Sequence, residues 1–141
     1  MGKFTFLAHT SDVAVKIEGG SLKDLFATAA KAMFAVLVVK KANGPAGALS
    51  ELKIEKTEES LEDLLKAWLD ALLFEFQAHG RMVHRIKSLE CGEDRISARV
   101  LLCDFNRDCY EFKDEIKAVT YHELKVEKAR RGWQAMVIFD V

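Results

Sequence analysis

Proline is nearly absent from this chain of 141 residues: Pro45 is the only one, so little in the sequence interrupts helices or central strands. Cysteine is scarce as well, and Cys91, Cys103 and Cys109 are odd in number with no Cys-x-x-Cys spacing. That pattern excludes a disulfide framework and a zinc ribbon, and a reducing cytoplasm is the expected compartment. Excess charge of one sign is missing, since 21 Lys plus Arg stand against 22 Asp plus Glu, a formal net charge of −1. Broad electrostatic attraction to nucleic acid or an anionic membrane is disfavoured, which leaves only a local patch for such binding. No apolar run approaches the ~20 residues of a membrane span. The amino-terminal stretch is broken by Lys3, Thr5 and His9, and Phe6 stands where a myristoylation motif needs Ser or Thr. A soluble protein without a targeting segment is expected.

What is present is core-forming material. Half the residues are hydrophobic and 30% are charged, which fits one globular domain over residues 1–141. A chain of this length buries roughly 68–70% of its unfolded surface, enough for a core without metal or disulfide staples. Gly19-Gly20 lacks the following glycines or lysine of a phosphate-cradling loop, and no repeat or low-complexity linker is visible.

Apolar periodicity predicts the elements. Phe4, Phe6 and Ala8, then Val13, Val15 and Ile17, alternate with polar residues and read as two strands joined by a polar connection at His9-Thr10-Ser11-Asp12. Ser21 is a good N-cap for a helix whose apolar face is Leu22, Leu25, Phe26, Ala29, Met33 and Val36. Gly44-Pro45 follows it as a stop. A strand over Leu49–Lys56 precedes a second helix, capped by Thr57 or Ser60, closed by His79-Gly80, and apolar over a broad stripe from Leu61 to Phe76. The remainder reads as strands at Met82–Glu90, Ile96–Leu102, Ile116–Glu127 and Trp133–Val141. Two amphipathic helices packed on a mostly antiparallel sheet define an α+β domain.

Chemistry-bearing residues are few. Asp140 neighbours the terminal carboxylate of Val141, and together they offer up to four anionic oxygens to a hard cation such as calcium, magnesium or manganese. A third carboxylate is needed, and Asp12 is a candidate; the plain alternative is a turn cap at Asp12 and a solvated chain end at Asp140. On one unbroken strand, His122 falls on the face of Ala118, Leu124 and Val126 and reads as a hydrogen-bonded core histidine. Lys117 lies on the opposite face and reads as a surface lysine. Cys103 and Cys109 have no partner pair for zinc. Lys125, Lys128, Arg130 and Arg131 gather positive charge at a turn that Glu123 and Glu127 dilute, and read as a solvated hairpin tip rather than an RNA contact.

Three motifs carry a resemblance. His9-Thr10-Ser11-Asp12-Val13 resembles the His-Thr-Ala-Asp-Ile motif of the archease family, the run from Glu115 to His122 is similar to its longest signature, and Phe139-Asp140-Val141 resembles its carboxyl end. The resemblance spans the chain and includes Leu25-Phe26, Met33-Phe34 and Trp68-Leu69. It implies a non-catalytic accessory protein for the RtcB-type RNA ligase of tRNA splicing and RNA repair, a GTP- and manganese-dependent enzyme whose guanylylation and turnover the helper promotes. By position it implies that Asp12, Asp140 and the Val141 carboxylate hold a divalent cation, calcium in the isolated protein and manganese or magnesium in function. Lys117, His9 and His122 become candidate contacts to ligase or nucleotide, with GTP and tRNA engaged indirectly. Departures from the family pattern are Ala14 for a glycine, Ala71 for a glutamate, and Tyr110 where a histidine is expected. Two other functions remain open, a metal-dependent phosphoesterase and a chaperone-like modulator of a tRNA methyltransferase.

Overall fold

A computed structural model describes residues 2–7, 12–42 and 47–141. The chain runs β1 (Lys3–Phe6), β2 (Asp12–Gly19), α1 (Leu22–Leu37), β3 (Val38–Lys40), β4 (Leu49–Thr57), α2 (Leu61–His79), β5 (Arg81–Cys91), β6 (Arg95–Asp104), β7 (Tyr110–Phe112), β8 (Ala118–Val119), β9 (Lys125–Ala129) and β10 (Gly132–Asp140). Every pairing among the described residues is antiparallel. One sheet has the order β1-β2-β10-β8, with β9 also on β10; a second has the order β4-β6-β5; β3 and β7 form a small ribbon. Both helices touch both larger sheets, so the helical pair fills the space between them. The α+β class expected from the periodicity is the one observed.

Local chemistry sets the helix ends. Ser21 Oγ accepts from the Asp24 N–H, and Ser60, not Thr57, does the same for Asp63, each at 3.1 Å. α2 ends at Gly80, whose left-handed φ of 64° lets its N–H return to the Phe76 carbonyl. Removing the α2 cap by Ser60→Ala should cost about 1 kcal/mol, read as a lower urea midpoint with an unchanged slope. An unchanged midpoint would mean that another group takes over the orphan N–H.

The core forms where the apolar faces meet. Leu25, Phe26, Ala29 and Met33 of α1 and Leu64, Leu65, Trp68 and Leu72 of α2 are fully buried against Val15, Ile17, Val137 and Phe139 on one side and Ile96 and Val100 on the other. Trp68 finds a partner for its polar end in the Phe26 carbonyl, to which its indole N–H donates at 2.9 Å.

Two expectations are corrected. The predicted strand over Ile116–Glu127 is broken: β8 and β9 lie in tandem on the same edge of β10, but the register advances by three residues between them. Tyr121, His122 and Glu123 are extruded as a turn, with Glu123 at a left-handed φ of 53° and the Leu124 N–H donating to the Tyr121 carbonyl. His122 is therefore exposed, not a core histidine. Helix α1 also passes straight into β3, whose backbone turns extended at Val38 (φ −141°) to pair with β7. The periodicity carried no signal for that ribbon, because strands of three residues are too short to show alternation. The predicted Ala8 position, like the stop at Gly44-Pro45, lies outside the described residues.

Candidate functional site

The register between β2 and β10 settles which residues meet. Val13 pairs with Phe139 and both are buried, so the preceding pair, Asp12 opposite Asp140, projects from the other, outer face. Directly opposed residues of an antiparallel ladder have Cα atoms about 4.5–5.5 Å apart. Residues 128 positions apart in the chain are thus nearest neighbours, which no sequence spacing could establish. Both carboxylates are half-buried, and neither takes part in an ion pair or side-chain hydrogen bond among the described residues. Like charges set directly opposite each other are destabilising. The flanking outer-face pair is Ala14 and Ile138, which supplies no donor, and Lys16 beyond it lies 4.0 Å from Glu18.

Val141 follows immediately, half-buried, its side chain packed at the edge of the core on the same row as Phe139. On the far side of β10, Ala118 pairs with Asp140, and the Lys117 N–H donates to the Asp140 carbonyl at 2.7 Å. Lys117 is exposed and makes no ion pair among the described residues. Of the expected site residues, the fold brings Asp12, Asp140, Val141 and Lys117 to one end of one sheet. His122 sits on the extruded turn of the same segment as Lys117, and His9 lies outside the described residues. Among the described residues, no three His, Cys, Asp or Glu side chains are grouped for a metal ion. The side-chain donors brought together at this sheet end are the Asp12 and Asp140 carboxylates.

The segment bearing Lys117 is held by residues that local pattern offers no reason to select. Gln77 Nε2 reaches from α2 to the Ile116 carbonyl at 2.9 Å, and Thr120 places both its N–H and its Oγ1 on the Ile138 carbonyl, at 3.1 and 2.9 Å. Tyr121, 64% exposed, lies under Lys66 Nζ at 4.9 Å from its ring centre, and Lys66 also pairs with Asp70 at 2.7 Å. The hydroxyl of Tyr121 is pushed up from its ordinary value, first by desolvation and then by Asp63. Gln77 is one of several polar residues on α2, beside Asp63, Lys66 and Asp70, so nothing in the local pattern singled it out as an anchor.

The other candidates resolve as structure. Lys125 pairs with Glu127 at 3.1 Å, Lys128 lies over the Trp133 ring, and Arg130 and Arg131 form the exposed turn between β9 and β10. All three cysteines are free; burial pushes the Cys91 thiol up to about 11 and also raises Cys103, so both remain protonated at neutral pH. Of the three departures from the family pattern, Ala14 borders the carboxylate pair, whereas Tyr110 is on β7 and Ala71 on α2.

A two-helix α+β domain with a half-buried carboxylate pair at a sheet end is the class that fold and site define. The model of the Archease protein family (MTH1598/TM1083) matches residues 4–141, and the chain belongs to that family. It is 33% identical over 143 residues to the protein archease of Methanosarcina acetivorans, covering 99% of this chain and 96% of that one. It is 32% identical over 145 residues to the protein archease of Thermococcus kodakarensis, covering all of both chains. Among solved structures it is similar to Methanobacterium thermoautotrophicum protein 1598, with a TM-score of 0.75 and 27% identity over 98% of each chain. The crystal structure of a Thermotoga maritima protein, described as an archease and possible chaperone, has the same fold, with a TM-score of 0.67 and 24% identity over 96% of this chain and 94% of that one. No helix among the described residues is long and apolar enough to cross a membrane.

Proposed function

We propose that this chain is an accessory protein that activates an RtcB-type RNA ligase of tRNA splicing and RNA repair. It acts through the enzyme, engaging GTP and tRNA indirectly. The observation that carries the reading is the cross-strand pair Asp12 and Asp140, two half-buried carboxylates opposed without a cationic partner among the described residues. Such a pair gains from a divalent cation, and the donor set suits a hard ion: Asp12, Asp140 and the main-chain carboxylate of Val141. Calcium would fill it in the isolated protein, and manganese or magnesium in function. The bound ion supplies charge neutralisation at an otherwise repulsive tip. Lys117, whose N–H donates to the Asp140 carbonyl, would contact the ligase or its nucleotide, and His9 and the exposed His122 would be further contacts on the same reading.

The test is guanylylation of a cognate ligase with GTP at limiting manganese, with and without this protein. Stimulation and multiple turnover are expected, and appending one glycine after Val141 should reduce both the stimulation and ion affinity. No stimulation by the parent chain would overturn the reading, and an undiminished effect after the glycine addition would remove the terminal carboxylate from it. Phosphoester hydrolysis by the isolated chain would favour the phosphoesterase. A methyltransferase effect that survives loss of both aspartates would favour the chaperone-like modulator.

A further inference from the structure

Several cations on this surface are neutralised locally, as in Lys3–Glu18, Lys53–Glu55, Lys87–Glu51 and Arg99–Glu51. One groove instead gathers cations that have no such partner among the described residues. Between α1 and β5 lies a groove of about 580 Å3 whose floor is Ala27, Ala30, Phe34, Met82 and Ile86. Lys31, Lys40 and Arg85 line it and are exposed, no carboxylate lines it, and none of the three cations has an ion-pair partner among the described residues. A chain of net charge −1 thus presents an apolar channel rimmed by positive charge of one sign only. Its size lies within the range of real binding clefts.

The walls say which kind of segment fits. β5 is an edge strand, but its register slips between Val83 and Arg85 and again between Ile86 and Ser88, so its free edge is not a regular ladder for an added strand. The opposite wall is helical, with Ala27, Ala30 and Phe34 spaced three and four residues apart. Small residues there admit close approach of another helix, ridge into groove. We infer that this groove docks an acidic amphipathic helix of a partner protein, with apolar side chains against Phe34 and Ile86 and carboxylates on Lys31, Lys40 and Arg85. It uses neither Asp12 nor Asp140, so it stands or falls apart from the ligase proposal.

The probe is a synthetic peptide of about four helical turns with Leu at i, i+4, i+7 and i+11 and Glu on its other face. Titrated into the 15N-labelled full chain, it should give saturable amide shifts at Ala27, Lys31, Ala35 and Ile86. A scrambled peptide of the same composition should bind at least tenfold more weakly, and a Lys-for-Glu version not at all. The double variant Lys31→Glu/Arg85→Glu changes only exposed side chains and should weaken the probe by about tenfold or more, with rising salt acting in the same direction. The inference is overturned by absent or unsaturable binding, by shifts confined to other residues, by equal affinity for the scrambled or basic peptide, or by an unchanged double variant. It is also overturned if concentration-dependent self-association fills the groove with a second copy, or if phosphatidylglycerol vesicles shift the same amides and the peptide does not.

Discussion

Replacing both Asp12 and Asp140 by Asn should make the chelated protein slightly more stable while removing the ligase stimulation proposed for it. The two effects have one cause. In the absence of a cation, the parent carries two like charges directly opposite each other on β2 and β10, with no positive partner among the described residues. Such pairs are destabilising, and neutral amides of similar shape relieve the repulsion. On the proposed metal assignment the sign reverses when a divalent cation is present, because only the parent would bind it well. At a free cation concentration 100 times its dissociation constant, binding stabilises the folded parent by about 2.7 kcal/mol. Urea unfolding of both proteins in chelator and in excess calcium measures the crossover, and a parent–variant gap indifferent to calcium would contradict the assignment. Ligase stimulation should fall by at least tenfold to a hundredfold, since disturbing even the outer shell of a metal site costs about that much. A variant that unfolds in chelator would instead make the aspartates structural, a result the outer-face placement argues against.

The contrast between these aspartates and His122 indicates how far sequence reading reaches. Alternation of Val13, Val15 and Ile17 and of Ala135, Val137 and Phe139 fixes which face of each strand is buried, and hence that Asp12 and Asp140 face away from the core. It does not fix which strands are neighbours. That choice depends on how α1 and α2 place the first strands against the last, a long-range matter on which local pattern is silent. Family motifs, not spacing, gave the reason to join residues 12 and 140, and the register then placed them opposite each other. For His122 local pattern misled. The face read as Ala118, Leu124 and Val126 is not one face: in β8 Val119 is buried and Ala118 exposed, whereas in β9 Val126 is buried, because three extra residues between the two strands change the phase. A one-residue slip would already flip every later side chain, so extruding three exposes Tyr121, His122 and Glu123 and restores pairing beyond them. The turn left little trace in the sequence, because its left-handed position is filled by Glu123 and not by glycine.

Trp68→Ala should be among the most destabilising single changes in this chain, with a loss of about 3–5 kcal/mol. Trp68 is fully buried in the helical layer, and its indole N–H bonds the Phe26 carbonyl of α1, so it joins the two helices both by packing and by direction. Truncation leaves a cavity bordered by elements that serve two sheets at once, and neither helix can collapse into it without leaving one of them. A domain held by roughly 5–15 kcal/mol gives up a large part of its margin, with Tm falling by on the order of 10–20 °C. Trp68→Phe separates the two contributions, since it keeps an aromatic ring in the site but removes the donor. A loss of about 1–2 kcal/mol is expected there, the hydrogen bond plus modest lost volume. Equal losses for the two variants would assign the whole effect to the hydrogen bond. The carboxylate pair lies on the outer face of the first sheet, away from this contact. On the proposed metal assignment, the Ala variant below its own Tm should therefore match the parent in calcium affinity, and weaker binding than the parent's by the folded variant would show that the helical layer sets the geometry of the tip.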